Sequence, residues 1–438
     1  MKNILTPAGR ASVLSLFILG ILISGYQTAR AETHRAPVRV ESNRPAAKLD
    51  IPAKEDTLPA SASGPLAPAP PMGWNSWNWF GKKNINEKVV REVIDAIVKE
   101  GLRDAGYRYV IVDGGWRDTV LDANGGLRPN PIRFPHGIKA LADYAHAKGL
   151  KFGLHTVPGT RDCGGDKVGG YGHEAVQIQQ FADWGIDFIK LDKCRMQGNW
   201  DEAQLKAVYF KWAGLIRKSG RDMVLSISAY KFRDWNPEAG QMSRTTPDIR
   251  AKCNGGAVFE NPHDGRKAPL SVMDIAEMNS LSAQYARPGY WNDPDMLVTG
   301  DQGLTPGEQR AHFALWCIMS APLFLGNDPI HMSPEEKSII LNKASIAVDQ
   351  DPTEQGKRVK VTGDTEIWAK KLKGGKAAIL LLNRNSSESK PVTLKFRDIG
   401  LPEKVKVKEV YSGKDLGAFT GNITREIKPH SGLFLVTE

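Results

Sequence analysis

Four stretches of this 438-residue chain set acidic side chains among tryptophan, amide or cationic residues. Asp113 opens Asp113-Gly114-Gly115-Trp116, and Asp192 closes Lys190-Leu191-Asp192. Asp248 ends Arg244-Thr245-Thr246-Pro247-Asp248, and a fourth acidic stretch is Trp291-Asn292-Asp293-Pro294-Asp295-Met296. A further stretch, Trp74-Asn75-Ser76-Trp77, adds indoles. Carboxylates accept hydrogen bonds from hydroxyls, and an indole covers the apolar C–H face of a ring such as a pyranose. The combination suits a neutral ligand rich in hydroxyl groups. One such carboxylate alone could simply cap a following helix; four on one rim call for another explanation. The nine histidines are scattered, and no His-x-His precedes these segments. That excludes a metal-dependent hydrolase of barrel type, and neither a metal nor a cofactor is expected.

The elements needed to bring these residues together are legible in the hydrophobic pattern. Short β-branched or aromatic runs predict strands at Met72–Trp74, Tyr109–Val112, Phe152–His155, Phe188–Leu191 and Met223–Ser228. Further strands are expected just before Asp248, at Gly289–Trp291 and at Pro322–Phe324. Amphipathic runs between them, including Glu87–Glu100, Ile138–Lys148, Gly172–Trp184, Asp201–Lys218 and Thr305–Met319, predict helices. Eight strands alternating with helices point to a closed (β/α)₈ barrel over residues 71–352. An open doubly wound sheet shares the alternation, but no Gly-x-Gly-x-x-Gly turn follows the first strand. In such a barrel the site lies at the C-terminal strand ends, where the acidic stretches fall.

Beyond Gln350-Asp351-Pro352 the period changes to short alternating runs separated by turns such as Lys373-Gly374-Gly375. Residues 353–438 are therefore expected to form an antiparallel β-sandwich. This part is read as a structural cap in preference to a carbohydrate-binding module, with Trp368 and Tyr411 its candidate exposed aromatics.

At the N-terminus, Lys2 and Arg10 precede the apolar run Val13 to Ile23, and Ala29-Arg30-Ala31 offers small residues for cleavage after Ala31. Residues 1–31 read as a signal peptide, and the Pro-, Ala- and Ser-rich residues 32–70 as a disordered linker. The apolar run is short for a membrane span. The expectation is a secreted or periplasmic enzyme with no stable membrane anchor. The net charge of +10 is spread thinly along the chain, which argues against a nucleic-acid partner. Export permits disulfides among the four cysteines, Cys163, Cys194, Cys253 and Cys317, whose spacing suits no zinc site; Cys317 lies in an apolar helical run and reads as a buried thiol.

The segments Pro71-Met72-Gly73-Trp74-Asn75-Ser76-Trp77, Phe188-Ile189-Lys190-Leu191-Asp192, Arg244-Thr245-Thr246-Pro247-Asp248-Ile249 and Trp291-Asn292-Asp293-Pro294-Asp295-Met296-Leu297 resemble those of glycoside hydrolase family 27, the α-galactosidases or melibiases. Ala321 to Asp328 and Ala347 to Pro352 agree as well, and the resemblance runs in order from residue 71 to the end. It implies a retaining double displacement on a terminal α-D-galactosyl residue of an oligosaccharide or glycan. Asp192 would be the nucleophile and Asp248 the acid/base. Lys190, on the same side of its strand, would help keep Asp192 ionised. Asp248 must hold a proton near neutral pH, so burial and the Asp192 charge are expected to raise it from the reference of about 3.9. The resemblance further implies substrate contacts from Trp77, Asp113, Lys190, Arg244 and Asp295. It also implies a Cys163–Cys194 disulfide, closing a loop of about thirty residues worth about 3–4 kcal/mol.

Three positions depart from the family pattern. Gly114 stands where a second aspartate is usual, His155 where a tyrosine is common, and Ser228 where α-galactosidases often carry a glutamate facing the sugar's C2 hydroxyl. His155 either replaces part of what Gly114 lost or is satisfied by loop backbone. A small residue at position 228 also suits an acetamido group. The same mechanism on an α-N-acetylgalactosaminide, a β-L-arabinopyranoside or an isomaltose-type α-glucoside is therefore the alternative, and a non-catalytic carbohydrate-binding protein a remote one.

Overall fold

The computed structural model describes residues 64–438 except 163–165, 195, 197–200, 261–266 and 301. The expected signal peptide, most of the expected linker and Cys163 lie outside the described residues.

Eight parallel strands form one sheet: β1 (Met72–Asn75), β2 (Tyr109–Val112), β3 (Lys151–Thr156), β4 (Phe188–Asp192), β5 (Val224–Ser228), β6 (Met242–Arg244), β7 (Trp291–Asp293) and β8 (Leu323–Leu325). Their order is β7-β6-β5-β4-β3-β2-β1-β8. The ends meet just beyond β7, where Leu297 makes a parallel bridge to Leu325. Its amide donates to Phe324 O at 2.7 Å, and its carbonyl accepts from the Gly326 amide at 3.0 Å. The fold is thus the expected barrel.

Side-chain alternation decides what faces the axis. In β4, Ile189 and Leu191 pack outward into the core shared with the helices, while Phe188 joins an inner cluster with Tyr109, Ile111, Val224, Met242 and Phe324. The inward residues above Phe188 are consequently Lys190 and Asp192. The same rule aims Asp113, His155, Ser228 and Arg244 at the axis. Inner aromatics fill the barrel so fully that a Cβ on Gly73 would lie 2.4 Å from the Tyr109 carbonyl oxygen, and one on Gly153 2.8 Å from the Phe188 Cβ. Only glycine fits there.

Helices cover the outside. Glu87–Lys99, Gly137–Ala147, Glu174–Asp183, Glu202–Lys218 and Pro306–Ile318 lie within two residues of their expected bounds. The last begins at a capping box between Thr305 and Glu308. Strand β7 starts two residues later than expected, because Gly289 (φ 94) turns the chain back at the Arg287–Tyr290 bridge. A hairpin of Arg117–Leu121 and Leu127–Pro129 and the helices Trp77–Asn84 and Val272–Ser280 were not anticipated.

The C-terminal part contains β9 (Lys357–Thr362), β10 (Thr365–Lys371), β11 (Ala377–Asn383), β12 (Lys390–Lys395), β13 (Lys404–Glu409), β14 (Asp415–Thr420), β15 (Asn422–Ile427) and β16 (Ser431–Thr437). All pair antiparallel. Ile379, Leu381 and Leu435 face Val392, Leu394 and Ile423 in the sandwich's own core. Leu380, Leu382 and Phe434, on the opposite face, belong to the barrel's outer core. Trp368, expected as an exposed aromatic, is fully buried and donates to Glu366 at 2.8 Å. Tyr411 is partly buried and donates to Arg310 O of the helix Pro306–Ile318 at 2.7 Å. Neither is an open platform for a sugar.

Candidate active site

The mouth of the barrel is assembled in a chain of charge-assisted hydrogen bonds. Asp113, one residue past β2, is buried. Its Oδ2 accepts from Lys190 Nζ at 2.7 Å and Asn75 Nδ2 at 3.0 Å, and its Oδ1 accepts from the Gly114 amide at 2.8 Å. Burial raises its carboxyl, but the Lys190 ammonium and these donors outweigh that and hold it far below the usual carboxylate range. Lys190 therefore pairs directly with Asp113 and reaches Asp192 through space.

Asp192 ends β4 with its side chain 13% exposed. Tyr230 Oη donates to its Oδ1 at 2.5 Å, and His155 Nε2 lies 3.4 Å from its Oδ2. Burial pushes this carboxyl up, yet the His155 hydrogen bond, the Lys190 charge and the Tyr230 hydroxyl together keep it below its ordinary value. An ionised, low-pKa carboxylate is the form a nucleophile needs.

Asp248 is different. Its side chain is 50% exposed, so the burial expected for it is absent. Its Oδ1 accepts from Arg244 Nη1 at 3.2 Å. Arg244 is itself buried and pairs through Nη2 with Asp295 at 2.9 Å. Asp295 holds an unusual φ of 90° while its carboxylate accepts from the Ile249 and Met296 amides at 2.9 and 2.8 Å. This links the segments following β6 and β7. Asp293 lies below, and burial pushes it up to about 6, with Arg244 opposing.

The remaining sequence-predicted residues fall on the same rim. Trp77 opens the helix after β1, its amide donating to Asn75 Oδ1 at 2.9 Å, and its ring lies 3.3 Å from where a Cβ on Gly114 would be. Ser228 is the cross-strand neighbour of Asp192, and its Oγ is buried without a hydrogen-bond partner among the described residues. Cys194 is disulfide-bonded, while Cys253 and Cys317 are free and buried; Cys163 lies outside the described residues.

Sequence reasoning missed several contributors. Tyr230 comes two residues after β5 in a left-handed conformation (φ 61), so no periodicity flags it; both Asp192 and Asp248 act on its hydroxyl. Asn75 was seen but given no role. Arg117, in the unanticipated hairpin, and Asp162 and Asp166, in the loop after β3, form a buried ion-pair group behind His155.

A barrel with paired carboxylates, cationic residues and an indole at its C-terminal mouth is the architecture of a glycosidase. The family model for α-galactosidase A matches residues 69–351, and that for the α-galactosidase C-terminal β-sandwich domain matches residues 362–436. The chain is 39% identical over 376 residues to an α-galactosidase of Cyamopsis tetragonoloba, covering 84% of this chain and 86% of that one. It is 40% identical over 323 residues to α-galactosidase A of Cellvibrio japonicus, covering 73% and 77%. The crystal structure of α-galactosidase I from Mortierella vinacea superposes with a TM-score of 0.78 at 32% identity, covering 85% of this chain and 97% of that one. The chain belongs to the α-galactosidase family, glycoside hydrolase family 27. Among the described residues no helix is long and apolar enough to cross a membrane.

Proposed function

We propose that this protein removes terminal α-D-galactosyl residues from oligosaccharides or glycans with net retention. The observation that carries this reading is the contrast between Asp192 and Asp248 around Tyr230. One carboxylate is recessed, ringed by donors and held ionised; the other stands at the opening beside Arg244. Asp192 attacks the anomeric carbon as the glycosidic C–O bond breaks, and Asp248 delivers its proton to the departing oxygen. Asp248 then takes a proton from water, which attacks the same carbon and releases Asp192. The arriving glycoside supplies the cover that Asp248 lacks in the free protein. Trp77, Asp113, His155, Lys190, Ser228, Arg244 and Asp295 are assigned to holding the sugar and the two carboxylates in register.

The Ser228 hydroxyl, without a hydrogen-bond partner among the described residues, favours a second reading in which the C2 substituent is larger than a hydroxyl. A panel of nitrophenyl α-galactoside, α-N-acetylgalactosaminide, β-L-arabinopyranoside and α-glucoside separates the two. The α-galactoside is expected to show the highest kcat/KM, with α-galactose as first product by NMR. A clear preference for another sugar, or a β-anomer as first product, would overturn the assignment.

Two further readings complete the proposal. Cys194 pairs with Cys163, the one cysteine left once Cys253 and Cys317 are free. The chain is exported after cleavage behind Ala31, so the mature protein is expected to begin at Glu32.

A further inference from the structure

Behind the mouth lies a buried group of charges that reaches the proposed nucleophile through His155. Arg117, fully buried, directs Nη2 to Asp162 Oδ2 at 3.0 Å and to His155 Nδ1 at 3.2 Å. Its Nε lies 3.5 Å from Asp166 Oδ2. Asp166 also pairs with Lys82 at 2.6 Å and accepts from the Gly115 amide at 3.3 Å. The two acids are also tied to each other, the Asp166 amide donating to Asp162 Oδ1 at 2.6 Å. The His155 carbonyl accepts from Trp116 Nε1 at 3.0 Å, so the residue carrying the imidazole is pinned at its backbone as well.

The chemistry of the donors fixes where the imidazole proton sits. A guanidinium has only N–H donors and never accepts. Its approach to Nδ1 requires a bare lone pair there. A proton on Nδ1 would set two donors face to face at 3.2 Å. The ring proton must then be on Nε2, the nitrogen that faces Asp192. Two cations, Lys82 and Arg117, meet two anions, Asp162 and Asp166, so the group adds a directional donor behind the ring without adding net charge.

We infer that Arg117 is a positioning residue. It holds His155 as the neutral tautomer protonated on Nε2, so that His155 donates a hydrogen bond to Asp192, and Asp162 and Asp166 hold Arg117 in place for that task. The tautomer follows from geometry alone; only its catalytic consequence rests on the reading of Asp192 as nucleophile. The same packing accounts for Gly114. A Cβ there would lie 3.4 Å from Asp162 Oδ2 and 3.3 Å from Trp77, so a carboxylate at position 114 would be pressed against that of Asp162.

Nitrogen-15 NMR of histidine-labelled enzyme tests this directly, with the His155 signals assigned by their loss in His155→Gln. The expected spectrum has an unprotonated Nδ1 and a protonated Nε2 at pH values where the enzyme turns over. Protonation of Nδ1, alone or together with Nε2, would overturn the inference whatever the enzyme hydrolyses. Kinetics supply a second readout. The amide N–H of glutamine reaches the Nε2 position and that of asparagine does not. His155→Gln should therefore retain about tenfold more kcat than His155→Asn, the worth of one hydrogen bond, at similar KM. Equal losses in the two variants would remove His155 donation from the mechanism. The double variant Arg117→Met with Asp162→Asn avoids stranding a buried charge and should lower kcat about tenfold with KM little changed.

Discussion

The barrel mouth and the seam between barrel and sandwich both bury charge, and they do opposite things with it. At the seam, Arg384 pairs with Asp274 at 2.7 Å, Glu366 at 3.0 Å and Glu277 at 3.2 Å. Arg358 joins the same group through Glu277 and Glu366 at 2.6 and 2.9 Å. Lys370, fully buried, donates to the carbonyls of Val348 and Asp349. Each cation there is held by partners from the fold itself, and the result is a docked domain. At the mouth the chains of partners end on groups left with capacity to spare: Asp192 and Asp248 on the rim and the Ser228 hydroxyl beneath it. Charge that is closed upon itself orders the fold. Charge with an open end is available to a ligand.

The largest separation of the two regions is expected from Asp192→Asn. This substitution should lower kcat by about 10⁴-fold, since residues acting as a unit lose most of the rate singly, while leaving the thermal midpoint near that of the parent. Retained turnover would break the comparison. Arg384→Ala should do the reverse, costing about 2–3 kcal/mol in a denaturant titration by taking the cationic partner from Asp274 and leaving Glu366 to Arg358 and Trp368, with kcat/KM on the nitrophenyl galactoside essentially unchanged. A parallel loss of activity would mean that the seam also sets the mouth.

A smaller effect sharpens the picture within the barrel. Asp293 is pushed up to about 6 by burial, against about 3.9 in an unfolded chain. Between those values the folded protein binds a proton the unfolded chain has lost. Its contribution is full below about pH 4, and stability falls as pH rises towards about 6. Asp293→Asn should flatten that segment of the stability profile. Asp113 acts with the opposite sign, since its depressed carboxyl contributes stability that is lost only as pH falls below the unfolded value.

Much of this was readable from residue order. Short β-branched or aromatic runs placed all eight barrel strands, and alternation along Phe188 to Asp192 put Lys190 and Asp192 on one face before any coordinates. What escaped had no periodic signal. Tyr230 owes its position to a left-handed backbone at φ 61 beyond β5. Arg117 lies in a hairpin whose pairing shifts register between Arg117 and Leu121. Strands β9 and β14 are mostly exposed, so burial leaves little pattern in them. The half-exposed setting of Asp248 was likewise invisible, because exposure at a rim depends on loops that the local sequence does not encode.

The account turns on Asp192 forming the bond to the sugar. A 2-deoxy-2-fluoro galactosyl donor with an activated leaving group slows release of the covalent intermediate, and peptide mass spectrometry after digestion then locates the label. The galactosyl adduct is expected on Asp192, in the segment Phe188 to Cys194. An adduct on any other residue, or an enzyme that turns over the parent glycoside yet never becomes labelled, would contradict it.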